Sequence, residues 1–319
     1  MEARLPGVGG CDRHAPLYLD GVPELPEIKA HAERLTEAFG GAVLERFEPI
    51  SFTALKTFAP DPASAVGLAL RSVDHRGKHL MLHFGPGEPE GTDGSDDEVT
   101  FVVHLMQGGR LVPDEKLSAR PRNGIARWRF SGGSAAPPAL LLTEAGKERK
   151  AGVWVFDGDP ARTDPPAPPL QGLGPDADVI TRDEFARALA ARNQRVHGFL
   201  RDQHGVAGLG RMLANEICHR AGLSPFAMTA KLTDTQVDSL LAATSACLSD
   251  ALAFERSLDA MSRSADRPGA VHRRKGDACP VCGDTIRAVE YNAYEVDYCP
   301  TCQTDGKVLA DNTTSKFLK

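Results

Sequence analysis

The chain has 319 residues, of which 41% are hydrophobic and 25% are charged. This length and composition predict a folded protein with room for two domains, and they exclude wholesale disorder. The longest apolar stretches, such as 139–142, fall far short of the roughly 20 residues that span a bilayer, so we expect no membrane segment. Residues 1–22 lack the apolar core of a secretory signal, which predicts a cytoplasmic location with reduced thiols.

The formal net charge of −6 does not by itself exclude a nucleic-acid partner, because the distribution of charge matters more than the sum. The run 88–98 is rich in Gly and Pro and carries the acids Glu88, Glu90, Asp93, Asp96, Asp97 and Glu98. We interpret this run as a solvated or disordered insertion away from any binding face. Arg273, Arg274 and Lys275 form a compact basic cluster, a modest indication of phosphate binding that alone would indicate a solvated turn.

The first half of the chain has the pattern of one helix followed by β-strands. Apolar residues at helical spacing predict a helix over 30–39. Short β-rich runs between Gly, Pro and acidic turns predict strands over 43–52, 69–73, 79–84, 99–105, 126–130 and 153–156. The stretch 131–138 is predicted to be a hairpin insertion.

The second half has a helical pattern behind a segment that favours neither helix nor strand. Residues 157–176 are dense in Pro, Gly and Asp, which predicts an interdomain linker. Helical periodicity follows over 181–191, 196–203, 211–221 and 233–258. Asp183 and Thr233 stand where N-caps are expected. The chain is therefore predicted to have the α+β fold class.

Two C-x2-C pairs separated by 16 residues are formed by Cys279, Cys282, Cys299 and Cys302. This spacing lets two tight turns present four thiolates tetrahedrally to one structural Zn²⁺, with a β-hairpin between them. Disulfides or a redox C-x-x-C are disfavoured by the expected reducing location and by the doubling of the motif. Zinc ribbons serve many roles, so the motif specifies function weakly. The other cysteines, Cys11, Cys218 and Cys247, lack partners at ligand spacing and are predicted to be core or incidental residues.

The string PELPEI, which begins at Pro23, precedes the first predicted helix. Taken alone it is an N-terminal turn, in which Glu24 and Glu27 favour the positive end of the helix. That interpretation explains the acids but gives no reason for Pro23. Combined with the zinc hairpin, the string resembles the start of the formamidopyrimidine-DNA glycosylase and endonuclease VIII family.

The resemblance implies that Pro23 is the mature N-terminus and the catalytic nucleophile. A free N-terminal proline is a secondary amine that can attack C1′ of a damaged nucleoside and form an iminium, while Glu24 assists ring opening by proton transfer. As numbered, the Pro23 nitrogen is a tertiary amide and cannot attack. We therefore hypothesise that translation starts at the Val22 codon, read as methionine, so that residues 1–21 are absent from the mature protein.

The resemblance extends over most of 23–303. Lys78, in the string HRGKHL, matches the family lysine that contacts the phosphate and the lesion; alone it would be a solvated lysine. The string HLMQGG contains His104, Met106 and Gln107 and resembles the loop that fills the hole left by an everted base, although a simple hairpin turn remains an alternative.

The string GLGR ends at Gly210 and Arg211 and resembles the family's helix-two-turn-helix, whose backbone N–H groups approach a DNA phosphate. Arg211 stands where family members usually carry Asn, and it can also bind phosphate. The basic cluster adds Arg274 and Lys275 as candidate DNA contacts. These assignments rest on the resemblance, because GLG alone is a weak signal.

Two further positions depart from the family pattern. Tyr294 stands where the zinc-hairpin arginine is expected, five residues before the third cysteine, and Tyr supplies stacking or one hydrogen bond but no charge. Ala151 replaces an aromatic wedge, although Arg149 and Lys150 beside it remain candidate DNA contacts. These departures affect the expected substrate and cleavage efficiency more than the expected fold.

The resemblance thus implies a monomeric bifunctional DNA glycosylase and abasic-site lyase that acts on damaged duplex or single-stranded DNA. The segment 257–272 is shorter than the lesion-capping loop of the enzymes for oxidised purines and lacks paired glycines. This favours oxidised pyrimidines, ring-opened purines and abasic sites over 8-oxoguanine. A non-catalytic damaged-DNA-binding protein with a blocked N-terminus is the alternative. A zinc-ribbon transcription factor explains the cysteines but neither PELPE nor the glycine-rich turn.

The implied architecture is an N-terminal β-sandwich-like domain with one long helix, followed by a helical domain with a helix-two-turn-helix and a zinc-binding β-hairpin. The expected divisions are an extension over 1–22, a catalytic domain over 23–157, a linker over 158–178, a helical domain over 179–272, a zinc finger over 273–304 and a tail over 305–319.

Overall fold

The computed structural model describes residues 22–87, 98–131, 136–145, 149–262, 266–291 and 294–309. Its N-terminal region contains one long helix, α1 (Leu25–Phe39), followed by β-strands. In chain order the strands are β1 (Leu44–Pro49), β2 (Ala69–Arg76), β3 (His79–Gly85), β4 (Val99–His104), β5 (Gly109–Pro113), β6 (Gly124–Phe130), β7 (Ala139–Glu144) and β8 (Gly152–Asp157). They form two antiparallel sheets, with the spatial orders β1-β6-β7-β5 and β2-β3-β4-β8.

The two sheets pack face to face around an aromatic centre. Phe47 on β1 lies 5.1 Å from Trp128 on β6 and 5.3 Å from Phe101 on β4, between ring centroids. These rings come from both sheets and are almost completely buried. Large aromatic groups contribute most to such a core because each removes a wide apolar area from water. The predicted β-sandwich is therefore confirmed.

The first turn of α1 lies between the two main hydrophobic cores of the described chain. Ile28, Leu35 and Phe39 pack into the sandwich, whereas Leu25 packs into the helical core that follows. The helix also begins earlier than the predicted 30–39, because a proline is accommodated in a first helical turn, where its missing N–H costs no hydrogen bond. The segment beginning at Pro23 is thus held by both halves of the protein.

The C-terminal region contains four α-helices, then a zinc-finger hairpin and one further short helix. The helices are α2 (Arg182–Ala191), α3 (Val196–Arg201), α4 (Arg211–Arg220) and α5 (Asp234–Arg256). A hairpin of β9 (Arg287–Tyr291) and β10 (Tyr294–Tyr298) follows, and then a short helix α6 (Pro300–Gln303). The two turns between α3 and α4 complete the predicted helix-two-turn-helix, and the α+β class is confirmed.

Several sequence predictions need correction. The N-cap of α2 is Thr181, whose hydroxyl accepts a hydrogen bond from the Glu184 amide, so the prediction of Asp183 was wrong; Thr233 caps α5 as expected. Strands β5 and β7 were not predicted. Of the acidic run 88–98, only the last residue lies within the described residues, and Cys11 lies outside them.

Helix α5 agrees with the helix predicted over 233–258. Among the described helices it alone is long and apolar enough to cross a membrane by length and composition, with 23 residues and a window of mean hydropathy 1.3. Its inner face, including Leu240 and Leu248, packs into the helical core. Its outer face carries Asp238 and Asp250, which form ion pairs with arginines of other helices. The helix is therefore the central helix of this core.

Candidate functional site

Glu24 lies directly after Pro23, and its carboxylate is held by the far half of the chain. The amides of Met212 and Leu213, in the first turn of α4, donate to its two oxygens at 3.1 and 3.0 Å. Nη2 of Arg267 donates to Oε2 at 3.2 Å. The first amides of a helix lack intrahelical acceptors and carry partial positive charge, so a carboxylate is well matched to them. The residue next to Pro23 is thereby fixed, with 4% of its surface exposed.

Two glycines make this close approach possible. A Cβ at Gly210 would lie 2.2 Å from Oε1 of Glu24, and a Cβ at Gly208 would lie 2.5 Å from Cδ1 of Leu25. Gly208 also has φ +99°, which disfavours other residues, and its carbonyl accepts from the Leu25 amide at 2.9 Å. From the sequence, this glycine-rich turn is predicted to bind a phosphate. The structure shows that it also provides the space for Glu24.

Arg267 joins the two glutamates of the PELPE string. Its Nη1 lies 3.1 Å from Oε2 of Glu27, while its Nη2 contacts Glu24. The Glu24 amide also donates to Oε2 of Glu27 at 3.1 Å. Burial raises the pKa of Glu27 from 4.5 to about 7, and the Arg267 charge opposes this rise. Sequence reasoning missed Arg267, because it lies in a segment without a motif.

A cavity of about 390 Å³ opens beside Glu24. The residues of its wall that the sequence analysis singled out are Glu24, Lys78, Gln107, Gly210, Arg211 and Tyr294. Those that it missed are Arg201, Gln203, Met212 and His272, and Arg273 was noted only as part of the basic cluster. Val22 also lines the cavity. Two larger cavities, of about 650 and 640 Å³, lie elsewhere. The predicted residues converge on the cavity of about 390 Å³.

The cavity wall is rich in cations. Burial lowers the pKa of Lys78, and the nearby Glu24 and Glu27 carboxylates oppose that effect. Burial also lowers the pKa of Arg211, with further lowering by the charges of Arg201 and Arg273. Cations that repel one another within a partly dehydrated wall are stabilised by an incoming polyanion. The wall is therefore suited to bind phosphate groups.

The HLMQGG loop contributes one residue to the cavity wall. Gln107 is exposed and lines the cavity, whereas Met106 packs against the sandwich core with φ 55°. The Met106 amide donates to Nδ1 of His104 at 3.0 Å. Burial lowers the pKa of His104 to about 3, so this ring is neutral at physiological pH. The structure thus supports Gln107, more than Met106, as the residue that reaches a ligand.

The remaining predicted contacts lie outside the cavity wall. Arg149 and Lys150 are exposed, and Nη2 of Arg149 donates to Oδ1 of Asn123 at 3.4 Å. Ala151, which directly precedes β8, is buried. The predicted basic pair is partly neutralised, because Arg274 lies 3.2 Å from Asp277 and Lys275 pairs with Glu290.

The four sulfurs of Cys279, Cys282, Cys299 and Cys302 lie within 4.8 Å of one another. The Cys279–Cys302 and Cys282–Cys299 sulfurs are 3.8 and 3.4 Å apart. Tetrahedral zinc with ligands at roughly 2.3 Å requires sulfur separations of about 3.8 Å, so the residues fit the metal. Nε2 of His219 lies 3.3 Å from the Cys279 sulfur and can donate to a thiolate. The protein has one structural zinc site, which orients the hairpin carrying Tyr294.

A sandwich with a buried glutamate anchored on a helix-two-turn-helix, beside a cationic cavity and a four-cysteine finger, defines a zinc-containing DNA glycosylase. Three family profiles agree: "Formamidopyrimidine-DNA glycosylase N-terminal domain" over 22–137, "Formamidopyrimidine-DNA glycosylase H2TH domain" over 172–262, and "Zinc finger found in FPG and IleRS" over 276–304.

Individual proteins give the same assignment. An uncharacterized formamidopyrimidine-DNA glycosylase-like protein of Mycobacterium tuberculosis is 43% identical over 156 residues, which are 48% of this chain and 98% of that protein. The formamidopyrimidine-DNA glycosylase of Symbiobacterium thermophilum is 28% identical over 299 residues, with 88% and 89% covered. The crystal structure of MutM (Fpg) from Thermus thermophilus has a TM-score of 0.68 at 25% identity, with 88% and 98% covered.

The chain therefore belongs to the formamidopyrimidine-DNA glycosylase family, as the resemblance implied. Its enzyme class is that of the DNA N-glycosylases with abasic-site lyase activity.

Proposed function

We propose that this enzyme excises oxidised or ring-opened bases through a Schiff base on Pro23 and then cleaves the strand by elimination. The observation that carries the proposal is the Glu24 carboxylate. It is fixed by two helix amides and Arg267 beside a cavity lined with cations, immediately next to Pro23 in the chain. A positioned carboxyl group next to a nucleophile is the arrangement that imine chemistry at a sugar needs.

The proposed reaction begins when the free Pro23 nitrogen attacks C1′ of the everted nucleotide. The nitrogen–C1′ bond forms, and the bond from C1′ to the base breaks, so the base leaves with the electron pair. After the attack the Pro23 nitrogen carries a proton; Glu24 takes up this proton and passes it to O4′ as the sugar ring opens to the iminium. Loss of a proton from C2′ then expels the 3′ phosphate, and water releases the enzyme. Lys78 and Arg211 hold the flanking phosphates throughout.

Damaged DNA is the proposed partner, and three observations support this. The cavity is cationic, the family is defined by DNA glycosylases, and similar structures include Lactococcus lactis Fpg bound to abasic-site and FAPY-dG DNA.

The short 257–272 segment favours oxidised pyrimidines, ring-opened purines and abasic sites. The bacterial relatives support a cytoplasmic location at the nucleoid. A panel of duplex and single-stranded oligonucleotides, each with one lesion, would rank these substrates.

A second candidate function follows from Val22. This residue lines the cavity and acylates the Pro23 nitrogen, so a chain that retains residues 1–22 has no nucleophile there. Such a chain would bind damaged DNA without cutting it. The two candidates differ in one covalent bond, which makes them easy to separate.

The deciding experiment compares the 1–319 chain with a form whose first residue is Pro23. Each is incubated with an abasic duplex and borohydride, which reduces an imine to a stable cross-link. We expect the Pro23 form to be trapped and the longer chain not to be trapped. The Pro23→Gly variant of the Pro23 form should lose trapping. The Glu24→Gln variant should lose strand cleavage. Intact mass of protein from the native gene then shows which form exists. Equal trapping by the Pro23→Gly variant would refute the proposal.

A further inference from the structure

Arg201, at the end of α3, places a guanidinium in the wall of the cavity, beside Tyr294 of the zinc hairpin. Its Cζ lies 4.6 Å from the centre of the Tyr294 ring, and both residues line the cavity. Tyr294 is the position at which the family resemblance predicts an arginine. Position 294 therefore lacks a cationic side chain, and a neighbouring helix supplies one in contact with the Tyr294 ring.

The tyrosine is itself held in place. Its ring stacks on Tyr291, with centroids 4.8 Å apart and an interplanar angle of 14°. The Tyr291 hydroxyl accepts from Nη1 of Arg195 at 2.9 Å, and Arg195 is the residue that precedes α3. Both ends of α3 are thus joined to the tip of the zinc hairpin. Through these contacts the hairpin fixes where the Arg201 side chain lies.

The contact with the ring leaves Arg201 able to bind an anion. A guanidinium beside an aromatic ring is attracted through its charge, so its N–H groups can still donate hydrogen bonds to an anion. Within the described residues, Arg201 and Arg211 form no ion pair with a carboxylate. The Glu24 carboxylate in the same cavity already accepts from two amides and Arg267. A phosphate is therefore the complementary ligand for these two guanidiniums.

We propose that Arg201 binds a backbone phosphate of DNA at the mouth of the cavity and that Tyr294 is the residue that positions it. In this proposal α3 supplies the charge that is expected on the hairpin, and contact with the Tyr294 ring holds that charge beside the hairpin. This inference rests on the proposed function for the identity of the polyanion. It does not depend on the Pro23 chemistry, because binding needs no free amine.

The test uses the full chain and a labelled duplex with one tetrahydrofuran abasic analogue, whose binding is measured by anisotropy at several salt concentrations. Arg201→Ala is expected to weaken binding about tenfold or more. It should also reduce the slope of log K against log salt by about 0.9, the value for one lost phosphate contact. Tyr294→Ala should weaken binding about threefold to tenfold, whereas Tyr294→Phe, which keeps the ring, should bind like wild type.

Two double variants make the test specific. Arg201→Ala with Tyr294→Ala should bind no more weakly than Arg201→Ala alone, because the tyrosine acts through the arginine. Arg201→Ala with Tyr294→Arg should recover affinity and salt slope, because it returns the charge to the hairpin. Zinc content and melting temperature confirm that each variant is folded. Any of three results would overturn the inference. The salt slope could be unchanged in Arg201→Ala, the losses in the first double variant could be additive, or the wild-type chain could fail to bind the duplex. Failure of the Pro23 proposal would appear in trapping and leave these affinities unchanged.

Discussion

Replacing Gly210 by alanine tests whether the missing Cβ at this position provides the space for the Glu24 side chain. Gly210 has φ −130° and ψ −157°, an extended conformation that alanine also adopts, so the backbone itself causes no strain. The added Cβ would lie 2.2, 2.7 and 2.8 Å from Oε1, Cδ and Cγ of Glu24. Since three consecutive side-chain atoms are too close, rotation of the carboxylate end alone cannot relieve the contact. The whole Glu24 side chain must move.

The magnitude follows from the contacts that the displaced carboxylate loses. Hydrogen bonds to a charged group contribute about 1.5 to 3 kcal/mol each, so losing both amides of α4 costs about 3 kcal/mol or more. A displacement of about 1 Å in a catalytic group reduces the rate by roughly 100-fold. We therefore expect Gly210→Ala to lower both the free energy of unfolding and the rate of imine trapping. Urea unfolding and single-turnover trapping by the Pro23 form measure the two effects.

Gly198→Ala is the matched control. Gly198 lies inside α3, and the nearest atom to an added Cβ is Oε1 of Gln194 at 3.7 Å, an ordinary contact. Alanine at a helix interior is favoured over glycine by about 0.5 to 1 kcal/mol, so this variant should be slightly more stable and fully active. Wild-type trapping and stability in Gly210→Ala, or equal losses in both variants, would refute the role assigned to Gly210.

Three further outcomes are expected. Removing zinc with a chelator, or by Cys282→Ser, should lower the melting temperature and DNA affinity together, because the four thiolates hold the hairpin that carries Tyr294; unchanged affinity in metal-free protein would contradict this. The pKa of Glu27 is raised from 4.5 to about 7, so protonated Glu27 contributes stability to the fold. That stability is fully present below pH 4.5 and is lost as the pH rises through 7. Urea unfolding from pH 5 to 8 should therefore show wild type losing stability relative to Glu27→Gln, by at most about 1.4 kcal/mol per pH unit. Thr181→Ala should cost about 1 kcal/mol and Asp183→Ala clearly less, as measured by thermal unfolding; the reverse order would restore Asp183 as the cap.

Periodicity predicted most elements because their environments are regular. Strands with one buried face, and helices with one apolar stripe, leave a repeating pattern in the sequence. Strand β7 is nearly as buried as the predicted strand β3, but its run of Ala139 and three leucines carries no β-branched or aromatic residue to indicate a strand. Strand β5 was hidden for a different reason, because Gly109 and Pro113 bound it and both residues normally indicate a turn.

Site residues that stand in sequence motifs could be predicted. Site residues that are defined only by tertiary contacts could not. Glu24, Lys78 and Arg211 stand in recognisable strings, and the structure brings them to one cavity. Arg201 and Arg267 stand in no string. Each is defined by a partner on a distant element, Tyr294 for the first and the PELPE glutamates for the second. Pairings over such sequence separations follow from the fold and not from local spacing.

The second glutamate of the PELPE string shows how far local reasoning falls short. The sequence alone explains Glu27 as a carboxylate that favours the positive end of α1. In the structure it is buried and shares a single guanidinium with Glu24. Burial raises the pKa of Glu27 to about 7, so protonation of Glu27 as the pH falls leaves less of the Arg267 charge engaged with Glu27. A residue that the sequence assigns to helix stability therefore shares the electrostatic surroundings of Glu24, the carboxylate to which we assign the proton transfer.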